Sequence, residues 1–191
     1  VSLHVDAAGG LLLEARQQPS PNCDERPAEV QPDLIVIHGI SLPPGEFGGP
    51  WIDALFTNTL DPAAHPYFQD IHQLRVSSHL LIRRDGELVQ YVPFHRRAWH
   101  AGVSSHCGRE CCNDFSIGIE LEGSDDLPYE PVQYQRLGAV IAALRAAYPS
   151  LAFGQIAGHS DIAPGRKTDP GPCFDWPRLY AALEEDGNVL A

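Results

Sequence analysis

Leu34-Ile35-Val36-Ile37-His38-Gly39 is the stretch on which the fold turns. Three of its four leading apolar residues are β-branched, and nothing polar interrupts them. A strand with one wet face would alternate. A continuous run reads as a strand covered on both faces, inside a sheet that carries helices. It ends at His38-Gly39, before the loop Pro43-Pro44-Gly45, and side chains that emerge at such strand ends commonly build ligand sites.

Outward from this strand the pattern continues. A short helix is expected over Trp51 to Thr57. Residues 78–84 and 87–92 flank Asp85-Gly86, a pair that favours positive φ at both centres of a type I′ hairpin turn. Ser116-Ile117-Gly118-Ile119-Glu120-Leu121 alternates, with Ile117, Ile119 and Leu121 on one face and Ser116, Gly118 and Glu120 on the other. Tyr134, Leu137, Ile141, Leu144 and Tyr148 follow helical spacing between Pro131 and Pro149, which predicts a helix over 132–148. Trp176, Leu179, Tyr180 and Leu183 predict a last helix over 176–185 with Asp175 as its N-cap. Pro19, Pro21, Pro27 and Pro32 mark residues 1–32 as an irregular lead-in. The sum is an α/β (α+β) fold, a single domain with a mixed central β-sheet flanked by helices.

Composition agrees. The chain has 191 residues, 43% hydrophobic and 20% charged, the balance of one ordinary globular domain. No apolar run nears the ~20 residues of a membrane span. The net charge of −12 opposes binding to nucleic acid or to anionic membranes. Lys167 is the only lysine. Five cysteines, with Cys111 and Cys112 adjacent, make a poor disulfide framework and fit a reducing cytoplasm. The run Leu11 to Leu13, with Asp6 upstream, does not read as a signal peptide. Position 1 is Val and need not be the native terminus.

No Gly-x-Ser-x-Gly elbow and no His-Glu-x-x-His helix occur. Gly165-Arg166-Lys167-Thr168 lacks the spacing of a phosphate loop. Of nine histidines, His38 and His159 stand out, each ending a short apolar run. Lys167 and Asp169 alternate just before Pro170-Gly171-Pro172, which biases both towards one side of an extended segment. Two imidazoles and a carboxylate with a fourth position open make a catalytic zinc shell. On spacing alone, a surface ion pair of Asp169 with Lys167 and a turn capped by His159 is the better fit. Glu120 lies mid-strand, where a carboxylate is either functional or on a solvent-facing side. Glu122, before Gly123, reads as a strand-end surface residue. His106, Cys107, Cys111 and Cys112 could hold a second, structural metal or be reduced loop thiols. A cysteine nucleophile is a poorer fit, although Cys173 lies near the proposed metal.

Four segments taken together resemble a known family. They are Ile35 to Gly48 (IVIHGISLPPGEFG), Arg97 to Ser104 (RAWHAGVS), Asn113 to Gly123 (NDFSIGIELEG) and Gly158 to Pro172 (GHSDIAPGRKTDPGP). The chain resembles the anhydro-N-acetylmuramyl-L-alanine amidases of cell-wall recycling, within the zinc amidases that share a fold with peptidoglycan recognition proteins. The likeness runs from about Pro19 to Leu183, which implies an irregular lead-in over 1–18, an amidase domain over 19–185 and a tail over 186–191. It implies zinc on His38, His159 and Asp169, with Glu120 and Lys167 as the catalytic pair. It also implies a substrate groove lined by Arg75, Trp99 and Tyr67. The implied reaction is hydrolysis of the amide between the lactyl group of the anhydro sugar and the L-alanine of the stem peptide. The expected partner is therefore an anhydromuropeptide, with no nucleic acid and no membrane, and a monomer is favoured.

Gly39 and Cys111 depart from the resembling proteins, which carry Asn and Arg there, so two substrate contacts are open. A binding module that holds muropeptides without cutting them would lack a ligand or the acid/base, and this chain has all of them. A periplasmic amidase acting on intact wall is the other rival, against which the Ser41 to Pro50 insert and the absent leader argue. The groove is expected to be locally basic through Arg75, Arg96, Arg97, Arg166 and Lys167.

Overall fold

A computed structural model describes residues 2–152 and 154–187 of the chain. Its centre is the strand read first. That strand, β5 (Leu34–Ile40), runs three residues past the apolar stretch and is buried on both faces from Leu34 to His38. Four short strands precede it: β1 (Val5–Asp6), β2 (Leu11–Leu12), β3 (Arg16–Gln17) and β4 (Cys23–Asp24). After it come α1 (Trp51–Phe56), α2 (Phe68–Ile71), the hairpin of β6 (Leu80–Ile82) and β7 (Leu88–Gln90), and β8 (Arg97–Ala98). A small hairpin of β9 (Ser105–His106) and β10 (Arg109–Glu110) leads into β11 (Ser116–Glu122). The chain finishes with α3 (Pro131–Ala147), β12 (Gln155–Gly158), the single turn α4 (His159–Ile162) and α5 (Trp176–Gly187).

Six strands form the main sheet in the order β12-β5-β11-β6-β7-β3. The first four run parallel, and β7 turns antiparallel to β6. Alternation then sorts side chains between two layers. Ile35, Ile37, Ile117, Ile119 and Leu121 pack against Leu137, Ile141 and Leu144 of α3 and Leu179 of α5. Leu34, Val36 and Ala157 face the other way, under Ala101, Cys112, Phe115 and Ile162. Next to them, α1 and α2 seat Ile52, Leu55, Phe56 and Phe68 on Leu81, Val89 and Tyr91.

The ends of the helices follow from local chemistry. At the start of α3 the Glu130 amide donates to Gln133 Oε1 at 2.9 Å. The Gln133 amide group in turn donates to Ile82 O and Glu122 O, tying the helix to two strand ends. Asp175 Oδ1 accepts the Arg178 amide at 3.0 Å and caps α5, as its position predicts.

Three sequence expectations are corrected. The turn at Asp85-Gly86 is not type I′, because only Gly86 has positive φ, at 87°. Gly86 N–H closes on Arg83 O and Arg83 N–H on Glu87 O, a type I turn followed by a glycine bulge. Of the expected irregular lead-in over 1–18, the described residues 2–18 are not irregular: Leu3, Leu12 and Ala15 enter the core and β3 extends the main sheet. Their two-residue strands are too short to show a period, and Gln90 holds them by its side chain, accepting from Leu12 N and donating to Gly10 O. Glu122 is not a surface residue. It is 2% exposed, paired to Arg83 at 3.3 Å and bound by the Gly48 amide at 2.7 Å. Of the expected tail over 186–191, Asp186 and Gly187 continue α5, and 188–191 lie outside the described residues.

Candidate metal centre and active-site cleft

Parallel pairing of β5 with β11 sets His38 directly beside Glu120. Both point away from the α3 layer, because each lies one residue past an isoleucine that faces it. Next door, β12 runs parallel to β5 and delivers His159 at the first residue after its end. The Ser160 amide bonds Asp169 O at 2.9 Å, which folds the Lys167 to Pro170 segment back over this strand end.

The three residues converge. His38 Nδ1 lies 3.0 Å from His159 Nδ1 and 3.3 Å from Asp169 Oδ2, and His159 Nδ1 is 3.1 Å from the same oxygen. His159 Nε2 faces Ala101 O at 3.3 Å. A carbonyl only accepts, so the ring proton sits on Nε2 and Nδ1 presents its lone pair. Burial pushes His38 down to about 4, so its ring is neutral at physiological pH. Burial alone would raise the Asp169 carboxyl, but His159 and His38 outweigh it and hold it well below the ordinary carboxylate range. Two imidazole nitrogens and an anionic oxygen aimed at one point fit a divalent cation of the kind that takes mixed nitrogen and oxygen ligands. Among the described residues no second group of this kind forms. His106 bonds Gln155 Oε1 instead, Cys112 is buried, and Cys107 and Cys111 are exposed, so the cysteine cluster does not assemble a metal site.

The point lies in a cleft of about 510 Å³. Glu120 is 8% exposed, and its Oε2 is buried without a hydrogen-bond partner. Burial first, then the charge of Asp169, pushes its pKa well above the ordinary carboxylate value, against the pull of Lys167. The solvent-facing alternative for this strand face is thereby excluded. Lys167 lines the cleft, and its charge reaches both Glu120 and His38. No Lys167–Asp169 ion pair forms among the described residues, since the carboxylate turns inward to the imidazoles.

The cleft lining includes an apolar and aromatic group, Leu42, Leu55, Phe56, Tyr67, Ile71 and Trp99. It also includes the polar and charged Ser124, Asp125, Arg166, Lys167 and Thr168. Tyr67 and Trp99 thus stand in the cleft, whereas Arg75 folds back on Gln73 O at 3.2 Å and is not among the lining residues. The expected basic groove shrinks accordingly. Arg97 is taken by Asp24 and Asp114 and Arg96 by Glu25, which leaves Arg166 and Lys167 as the cations of the lining. Arg166 itself braces the loop carbonyls of Ala101 and Val103. A second cavity, of about 520 Å³, is lined by Arg16, Arg83, Arg84, Glu87 and Glu122. Its arginines are committed to ion pairs.

Some supporting residues escaped the sequence reading. Tyr129 donates its hydroxyl to Pro170 O at 2.9 Å, next to Asp169. A Cβ at Gly39 would collide with that hydroxyl, so the space beside Gly39 belongs to Tyr129. His100 Nδ1 lies 2.9 Å from His38 Nε2. The alternation of β11 placed Ser116 and Gly118 on the site's face, but their contact with His100 joins positions from separate elements that no local pattern links.

Comparison with known proteins gives a consistent picture. A family described as N-acetylmuramoyl-L-alanine amidase matches residues 28–172. The 1,6-anhydro-N-acetylmuramyl-L-alanine amidase AmpD of Citrobacter freundii is 67% identical over 174 residues, covering 91% of this chain and 92% of its own. A crystal structure of a selenomethionine AmpD derivative superposes with a TM-score of 0.90 at 65% identity, covering 94% of this chain and 98% of that one. More distantly, Escherichia coli AmiD has been solved with the substrate anhydro-N-acetylmuramic acid-L-Ala-D-γ-Glu-L-Lys. It is 31% identical with a TM-score of 0.55, over 83% of this chain and 60% of that one.

Proposed function

The chain belongs to the N-acetylmuramoyl-L-alanine amidase family, and from that membership we propose that it hydrolyses anhydromuropeptides in cell-wall recycling. The bond cut is the amide between the lactyl group of 1,6-anhydro-N-acetylmuramic acid and the L-alanine of the stem peptide. The observation that carries this reading is the convergence of His38 Nδ1, His159 Nδ1 and Asp169 Oδ2 beside the unpartnered Glu120 carboxyl.

His38, His159 and Asp169 would hold zinc, which supplies Lewis-acid polarisation of the scissile carbonyl and brings water closer to ionisation at neutral pH. The residues of the chain do the rest. Glu120, held next to His38 by strand register, takes the proton of the attacking water and passes it to the leaving amine. Its raised pKa suits both halves of that task, since the group must accept and then release a proton. The Lys167 ammonium stabilises the negative charge that develops on the carbonyl oxygen, a contribution of roughly 3–4 kcal/mol for a preorganised donor. Tyr67 and Trp99 offer flat apolar surface to the sugar. The five free cysteines fit action in a reducing cytoplasm.

A binding module would not need an orphaned carboxyl beside the metal position. The test is a digest of a purified anhydromuropeptide read by mass. Cleavage should yield the free anhydro sugar and a peptide beginning with L-alanine. It should stop when a chelator removes zinc and resume when zinc is returned. An intact muropeptide after incubation with zinc-loaded protein would refute the enzymatic reading.

A further inference from the structure

We propose that His100 is a positioning residue, which fixes the nitrogen that His38 turns to the metal and thereby sets how tightly the metal is held. The proton positions follow from the far end of a hydrogen-bonded chain. Cys112 O can only accept, so the Ser116 hydroxyl donates to it, at 2.5 Å. Ser116 Oγ must then accept from His100 Nε2, at 3.1 Å. With its proton on Nε2, His100 offers a bare Nδ1, which accepts from His38 Nε2 at 2.9 Å. His38 is left with a lone pair on Nδ1, the atom that faces His159 and Asp169.

The His100 ring has little freedom to move. Its own amide and that of Ala101 both donate to Asn113 Oδ1, at 3.1 and 2.8 Å. The ring lies against Gly118, where even a Cβ would sit 2.5 Å from its Cγ. A ligand histidine whose second nitrogen is anchored in this way has both its tautomer and its ring angle fixed. The Ala101 carbonyl, one residue on, accepts from His159 Nε2, so the same short segment orients both imidazoles.

This inference rests on the zinc reading given above. The experiment transfers zinc from the loaded full-length chain to a competing chelator. His100→Phe keeps a ring and removes the acceptor, and should weaken zinc binding about 10–100-fold. His100→Asn places an acceptor oxygen near the lost Nδ1 and should restore most of the affinity. Long-range proton–nitrogen correlation NMR on the loaded wild-type chain should find both His38 and His100 protonated at Nε2, which decides the matter even if His100→Phe fails to fold. A His100 ring protonated at Nδ1, or a folded His100→Phe chain that holds zinc as tightly as wild type, would overturn the proposal alone. A wild-type chain that takes up no zinc would overturn the metal reading and this inference together.

Discussion

In the proposed mechanism Glu120 concentrates the chemistry of the cleft in one side chain. A buried carboxyl with a free oxygen is costly unless it is protonated or given a proton to handle. Glu120→Gln keeps shape and removes the base, so turnover should fall about 10²–10⁴-fold. Zinc content, measured on the same samples, should not change, because Glu120 lies beside the ligands and not among them. Loss of metal along with activity would make it a ligand instead. Tyr129 has a different task. Tyr129→Phe removes one buried hydrogen bond, worth about 0.5–1.5 kcal/mol, and releases the Pro170 carbonyl next to Asp169. Urea denaturation should show that loss, and zinc should leave the variant faster than the wild type.

Elements differ in how openly the sequence declares them. β5 and β11 were legible because a long apolar run and a clean alternation each follow from burial. α3 and α5 were legible because their stripes and caps lie within a few residues of each other. The strands before residue 25 were not, since two residues carry no period and four prolines dominate the reading. Glu122 was misread for a related reason: what buries it is Arg83, far away in the chain, and the Gly48 amide of the loop after β5. The pair of Glu122 with Arg83 joins the end of β11 to the hairpin. Glu122→Ala would strip a buried arginine of one partner while Asp53 and Glu87 remain, a loss at the low end for broken buried pairs, about 3 kcal/mol. Chemical denaturation checks it, and zinc content should stay at one per chain, since neither Arg83 nor Glu122 bonds to His38, His159 or Asp169. A change within about 0.5 kcal/mol, the range of surface substitutions, would show the pair to be idle.

At the scale of the whole molecule, the site is a product of topology. The proposed zinc ligands and Glu120 come from β5, the β12–α4 junction, the segment after it and β11, and parallel pairing brings three of those to one sheet end. The residue types and their strand-end positions could be read in advance. Their convergence could not, because it depends on strand order. The same burial makes the fold sensitive to acid. Burial lowers His79 to about 3 and His38 to about 4, so the folded chain refuses protons that an unfolded chain accepts below about 6.5. The stability from these groups is therefore complete above pH 6.5 and is lost as pH falls towards their folded values. Each contributes a slope of up to about 1.4 kcal/mol per pH unit. Between pH 6.5 and 5 most carboxylates stay ionised in both states, but Glu120, raised by burial, opposes this slope, so denaturation of the metal-free Glu120→Gln chain across that range reads the histidines. A flat profile there would contradict their buried, neutral state.

The measurement closest to the central claim is where the water oxygen goes. Digestion of an anhydromuropeptide in isotopically heavy water, read by mass spectrometry, should place the heavy oxygen in the lactyl carboxylate of the anhydro sugar. The released peptide should carry none and should begin with a free L-alanine amine. Heavy oxygen in the peptide fragment, or cleavage that persists unchanged in Glu120→Gln, would contradict the assignment of bond and of base.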